Sequence, residues 1–163
     1  MINNKMFKPI VAVTVVLAIL LVAMAFFNND SDKYSCSGQQ KIHMKPGEYM
    51  DLWVKINIQK QKASMIVKGF YHHADGSQKK IYQQGNYQYN HFYNELFEAK
   101  LQSVQRMFKD QSPEPLSNYI FGIEPGESRN FRARKVRDGL MMFGSEYVWF
   151  YACKMDAYES PRV

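Results

Sequence analysis

A run of nineteen residues from Pro9 to Phe27 (PIVAVTVVLAILLVAMAFF) carries no charge, and Thr14 is its only polar side chain. At about 1.5 Å of rise per residue, a helix of this length matches a hydrocarbon layer of about 30 Å. Lys5 and Lys8 stand before the run, and Asp30 and Asp32 follow it. The preference of basic residues for the cytoplasmic side makes residues 1–8 a cytoplasmic stub and residues 9–27 a single transmembrane helix. Everything from Asn28 onward is then exported. Ala23-Met24-Ala25 also fits the small-x-small pattern of a signal-peptide cleavage site. The length of the apolar run and the bulky Phe26 and Phe27 after that site favour an uncleaved anchor.

With one span assigned, the 163 residues leave room for one further domain. Removing Lys5 and Lys8 from the formal charge of +6 leaves +4 for the exported part, a mild excess that gives no argument for nucleic acid. Eleven Tyr and eleven Phe supply material for a core. Cys36 and Cys153 both fall on the exported side, where disulfides persist. A bridge between them would constrain a long loop, worth roughly 4–5 kcal/mol by chain entropy. The other reading is two buried free thiols.

Residues 28–35 read as a polar tether, residues 36–156 as the domain and residues 157–163 as a frayed tail. Within the domain, turn signals recur between short alternating runs. Lys45-Pro46-Gly47-Glu48 suits a type II turn. Met50, Leu52, Val54, Ile56 and Ile58 then alternate with Tyr49, Asp51, Trp53, Lys55 and Asn57, the pattern of a half-buried strand. A second strand spans about Ala63 to His72, and Asp75-Gly76 suits a two-residue type I′ hairpin. That turn sets Gly69 opposite Tyr82 and Val67 opposite Gln84, which points Met65, Val67, Gly69 and Tyr82 inward and leaves Lys68, Phe70 and His72 outside.

Residues 91–109 support two readings. Phe97, Leu101, Val104 and Phe108 have helical spacing, yet the neighbours on both sides are strands, which favours one long twisted strand. Leu116 to Phe121 reads as one short helical turn. Strands resume from Asn130, with a second Asp-Gly hairpin at Asp138-Gly139. Tyr147 to Lys154 (YVWFYACK) is apolar on both faces, which suggests a strand covered on both sides. The total is about eight antiparallel strands. Closing them into an all-β barrel would remove exposed edges and bring Cys36 in the first strand beside Cys153 in the last. A barrel of eight strands is filled by side chains or holds one small ligand, as in lipocalins.

Catalytic patterns are missing from this sequence. It has no Gly-x-Ser-x-Gly elbow, P-loop or His-Glu-x-x-His, and its two cysteines are far from Cys-x-x-Cys spacing. His72 and His73 are adjacent and point to opposite faces of a strand. His43 and His91 lack partners at metal-ligand spacing. A non-enzymatic protein without metal or cofactor is the expectation. Arg132, Arg134, Lys135 and Arg137 form a basic strand, either a solvated outer face or a site for a carboxylate or sulfonate, an acidic partner or lipid headgroups. Tyr87, Tyr89, Phe92 and Tyr93 could serve as core, barrel mouth or partner surface.

The anchor, the Tyr34-Ser35-Cys36-Ser37-Gly38 segment after it, the β-rich domain and the closing Trp149-Phe150-Tyr151-Ala152-Cys153-Lys154 together resemble the FidL-like family of small membrane proteins. The resemblance implies a bacterial inner-membrane protein whose lipocalin-like barrel lies in the periplasm. It also implies a ToxS-like role beside a ToxR-like transmembrane regulator such as VtrA, with a bile salt held in an apolar chamber and virulence genes switched on. Without a DNA-binding domain of its own, the chain would signal through that partner. A rigid apolar ligand with an anionic end calls for an apolar lining, and Met50, Leu52, Val54, Ile56, Met65, Val67 and Tyr82 are the candidates. Alternatives are a self-sufficient carrier of amphipathic ligands and a ligand-free structural subunit of an envelope assembly.

Overall fold

Alternation and turn chemistry produce an up-and-down meander that closes on itself. The computed structural model describes residues 33–93 and 95–156. The expected membrane span at 9–27 and the tail at 157–163 lie outside the described residues. Eight antiparallel strands form a closed barrel in sequence order. They are β1 (Lys33–His43), β2 (Tyr49–Gln59), β3 (Lys62–His72), β4 (Gln78–Tyr93), β5 (Leu96–Arg106), β6 (Ser128–Lys135), β7 (Leu140–Gly144) and β8 (Trp149–Met155). One short helix, α1 (Leu116–Phe121), interrupts the meander between β5 and β6. The start of β1 at Lys33 places the end of the expected tether within a strand.

The Pro-Gly turn between β1 and β2 forms as its residues dictate. The Glu48 N–H donates to the Lys45 carbonyl at 2.9 Å, and Gly47 takes φ +81°. The Asp75-Gly76 turn does not take the two-residue form. Gly76 has φ +83°, but Asp75 is not in the left-handed region that a type I′ turn needs at both central positions. His73 and Ser77 instead close a three-residue loop of Ala74, Asp75 and Gly76, with the His73 N–H on the Ser77 carbonyl and the Gly76 N–H on the His73 carbonyl. The Asp75 carboxylate accepts from the Ser77 N–H at 2.8 Å.

That extra residue shifts the register by one. Gly69 faces Ile81, Val67 faces Gln83, and Lys68 faces Tyr82. Ile81 and Gln83 therefore point inward, and Tyr82 lies outside with the Lys68 ammonium 4.8 Å from its ring centroid. A one-residue slip reverses every side chain of a strand, which is how Tyr82 changes face.

The 91–109 stretch holds the end of β4 and the whole of β5, rather than one continuous strand. Its helical-looking spacing has a different cause. A bulge in the β4–β5 ladder pairs Asn86 with Ser103 and Tyr87 with Leu101, leaving Gln102 as the extra residue. Leu101 and Val104 thus both join the interior although they are three apart. Phe108 lies beyond the strand and is 86% exposed. On β8 the alternation is ordinary: Tyr151 and Cys153 are buried, while Phe150 and Ala152 are exposed on a strand expected to be covered on both sides.

Closure depends on a short seam. Cys36 pairs with Met155 and Ser37 with Lys154, and the Cys36–Cys153 disulfide spans 5.5 Å between Cα atoms. Asp156 reinforces the seam by accepting from the Ser35 hydroxyl at 2.8 Å and the Ser37 hydroxyl at 3.2 Å, with the Lys55 ammonium at 3.3 Å. Tyr151 reaches across β1 and donates to the Val54 carbonyl at 3.0 Å. Gly38 makes this crossing possible, because a Cβ there would sit 2.8 Å from the Ala152 carbonyl oxygen and 3.1 Å from the Tyr151 hydroxyl.

The disulfide closes 117 residues of separation. A Cys36→Ser, Cys153→Ser double variant should lose about 4 kcal/mol of stability by chain entropy, read as a lower urea midpoint, and the reduced wild type should match it.

Candidate ligand-binding site

The two ends of the barrel are built differently. One end carries the β1–β2, β3–β4 and β7–β8 turns and the long connection from β5 through α1 to β6. The other carries the β2–β3, β4–β5 and β6–β7 turns. At the first end α1 acts as a plug: Leu116, Ile120 and Phe121, with Ile123 just after the helix, are buried in the same cluster as Met50, Leu52, Tyr71 and Ile81. Gly85 on β4 creates the seat for Phe121. A Cβ at Gly85 would lie 2.7 Å from the Phe121 ring, so only glycine leaves room for it.

Polar bonds hold the plug down. The buried Gln83 amide donates to the Ser112 hydroxyl at 2.6 Å and accepts from the Ser117 hydroxyl at 3.0 Å. Tyr87 donates to the Phe121 carbonyl at 3.2 Å, and burial pushes its phenol well above the ordinary tyrosine range. Asp110 accepts from the Tyr82 N–H at 2.7 Å, the Ser112 hydroxyl at 2.8 Å and the Arg106 guanidinium at 2.6 Å. Arg106 also donates to the Ser112 carbonyl. Burial alone would raise the Asp110 pKa, but these donors outweigh it and hold the carboxyl below the usual range.

The opposite end has no such plug among the described residues. Ile56, Ile58, Met65, Phe97, Met141 and Met155 all belong to the interior face there, and all are only partly buried. At the plugged end, Ile42, Met44 and Val104 at the margin, and Tyr87 against α1, are the partly exposed interior apolar residues among those described. Among the described residues, the result is one packed and plugged end and an opposite end, the mouth, whose interior apolar side chains are only partly covered. The interior-face positions of the described strands carry Lys79, Arg106, Arg129 and Lys135, and no Asp or Glu.

The sequence candidates divide along this line. Met50, Leu52, Val54 and Val67 are fully buried and pack the core. Ile56 and Met65 face one another across the β2–β3 ladder at the open mouth. Tyr82 lies outside the barrel. The alternation of β2 located the right face, but it carries no information about which end is filled. Phe97, Met141 and Met155 are not among the lining candidates that the sequence offers. Of the Tyr and Phe cluster, Tyr87 packs inward against α1 and Tyr89 meets Phe97 edge-on with centroids 5.9 Å apart.

The basic strand also divides. Arg132 and Arg134 lie outside, with guanidinium carbons 5.0 and 5.8 Å from the Trp149 ring, and both bind Glu95, at 3.4 and 2.5 Å. Hydrogen bonding from Arg134 is the main cause holding the Glu95 carboxyl below its usual range. Two of the histidines gather near one aromatic ring, His72 stacked on Tyr49 at 4.2 Å and His43 at 5.9 Å from the same ring. No protein-family model matches this chain, and no curated protein matches its sequence.

Two outcomes test this architecture. Gly85→Val should evict Phe121 and loosen α1, read as faster amide exchange across 107–127 with the β2–β3 core still protected. Because its pKa is lowered on folding, Asp110 contributes stability above the ordinary carboxylate value of about 4, and that stability is lost as pH falls through the folded value. Asp110→Asn should therefore cost roughly 2–3 kcal/mol at neutral pH and flatten the acid limb of the stability profile.

Proposed function

We propose that this chain is a membrane-anchored periplasmic co-receptor whose barrel takes an amphipathic ligand of the bile-salt class at its open apolar mouth. The observation that carries this reading is the asymmetric interior: one half is packed and plugged, and the other leaves large apolar side chains partly exposed on the inside of the barrel. Ligand sites are concave, mainly apolar and fitted with a few polar groups, and the mouths of barrels are common places for them. An eight-stranded barrel of this kind is lipocalin-like in scale, wide enough for one small ligand where side chains do not fill it.

The resemblance in layout to VtrC, the companion of VtrA, supplies the rest of the proposal. The chain pairs with the periplasmic domain of a ToxR-like regulator, stabilises it and passes ligand occupancy to the regulator's cytoplasmic DNA-binding domain. The apolar run at 9–27 supports an inner-membrane location with the N-terminus in the cytoplasm. No step needs catalysis, metal or cofactor.

Co-expression of the full chain with a full-length candidate regulator, followed by affinity purification and titration with deoxycholate, tests both parts. A one-to-one complex that binds the bile salt is the expected result. Binding of the bile salt by this chain with no complex formed would replace the co-receptor with a carrier, and absence of binding both with and without the regulator would leave a structural role. Met65→Glu, which places a carboxylate in the mouth, should weaken binding at least tenfold, about 1.4 kcal/mol. Tyr82→Ala should leave affinity unchanged.

A further inference from the structure

The four basic residues around β6 look alike in sequence, but the barrel assigns them to different surroundings. Arg132 and Arg134 face outward and are occupied by Glu95 and Trp149. Lys135 falls on the opposite face. It shares that face with Phe131 and Ala133, and it pairs with Met141, which packs against the core. Phe131 and Ala133 are themselves part of the interior, so strand alternation turns Lys135 toward the barrel axis.

Lys135 is the last residue of β6 and therefore stands at the rim of the open mouth. It is solvent-exposed, as a rim cation must be to stay charged at small desolvation cost. The three other interior-face cations are elsewhere. Lys79 and Arg106 lie at the plugged end, with Arg106 bound to Asp110, and Arg129 sits at the start of β6 opposite Ala99. Arg137 is exposed in the turn after β6, beyond the strand alternation.

We propose that Lys135 is the residue that makes the mouth selective for anions: an amphiphile enters from the open end with its apolar body against Ile56, Met65 and Met141, and its carboxylate or sulfonate stops at the Lys135 ammonium. This rests on the reading of the mouth as a ligand site and adds to it the orientation and charge of the ligand. A bound molecule of opposite polarity would bury its charged group among apolar side chains with no basic partner there, which is strongly unfavourable. The interior-face positions of the described strands carry no acid, so a cationic amphiphile lying along them finds no counter-charge there.

The test uses the full chain in lipid nanodiscs, with empty discs as the blank, and two probes kept below their micelle concentrations. Deoxycholate carries the anion, and decyl maltoside supplies an apolar body with an uncharged head. Lys135→Gln should weaken deoxycholate about five- to tenfold, Lys135→Glu more, and Lys135→Arg should restore it, all with decyl maltoside unchanged. Raising salt should narrow the difference between wild type and Lys135→Gln. The inference is overturned if Lys135→Gln and Lys135→Glu bind deoxycholate within twofold of wild type, or if they lose both probes equally. In the first case the mouth would still be a ligand site with its charge selectivity elsewhere. Failure of wild type to bind either probe would overturn the inference and the ligand-site reading together.

Discussion

Closure of the sheet between β1 and β8 is the constraint on which the rest of the structure depends. An open meander of eight strands would expose two edges of unpaired N–H and C=O groups, and closure removes both. The seam has only two backbone pairs among the described residues, far fewer than the β2–β3 or β3–β4 ladders. Covalent and side-chain bonds make up the difference. The disulfide fixes the middle of the seam, Asp156 ties its lower edge to Ser35, Ser37 and Lys55, and Tyr151 crosses Gly38 to reach β2. Burial pushes the Tyr151 phenol up to about 12, so it remains protonated and able to donate under ordinary conditions.

Once the barrel is closed, its contents follow from where bulk is supplied. Gly85 opens a seat on β4, and Phe121 fills it from a helix that belongs to no strand pair. The polar groups needed to anchor that helix come from the same strand: Gln83 and Tyr87 lie on either side of Gly85 on the interior face. A buried amide inside an apolar barrel would be costly alone, but Gln83 has partners for both its ends. One strand thus provides the space, the donor and the acceptors that place the plug.

Much of this fold was legible before the structure, and the failures have physical causes. Alternation in β2 located its inner face because a half-buried strand must alternate, and the two cysteines fell at the ends of a chain that closes. The register of β3 against β4 differs from the expected one because Asp-Gly suits both a two-residue and a three-residue loop, and only the φ of Asp75 separates them. Leu101 and Val104 imitated a helix because a bulge and a helical turn both bring residues three apart to one side. The turn between β2 and β3 gave no signal at all: Lys60 takes φ +55° without the usual glycine or asparagine. The site was legible only in part. Periodicity says which face of a strand points inward, but how far the interior is filled depends on α1, far away in sequence from the residues it buries.

The open end has an energetic meaning of its own. Large apolar residues gain about 25 cal/mol for each Å² removed from water, so interior Ile, Met and Phe side chains left partly wet forgo stabilisation that a second plug would have supplied. The same chain shows that a plug is possible, since α1 fills the other end with three buried residues from a single helical turn and a half. A barrel that needed only to be stable would be served by filling both ends. Keeping Ile56, Met65 and Met141 only partly covered on the interior wall, with Lys135 at the end of β6, would leave the missing burial to be supplied by whatever enters. Occupancy would then stabilise the barrel itself, because a ligand that binds the folded state and not the unfolded one adds its binding free energy to folding. On the proposed reading, the less filled end would make part of the barrel's stability depend on its ligand.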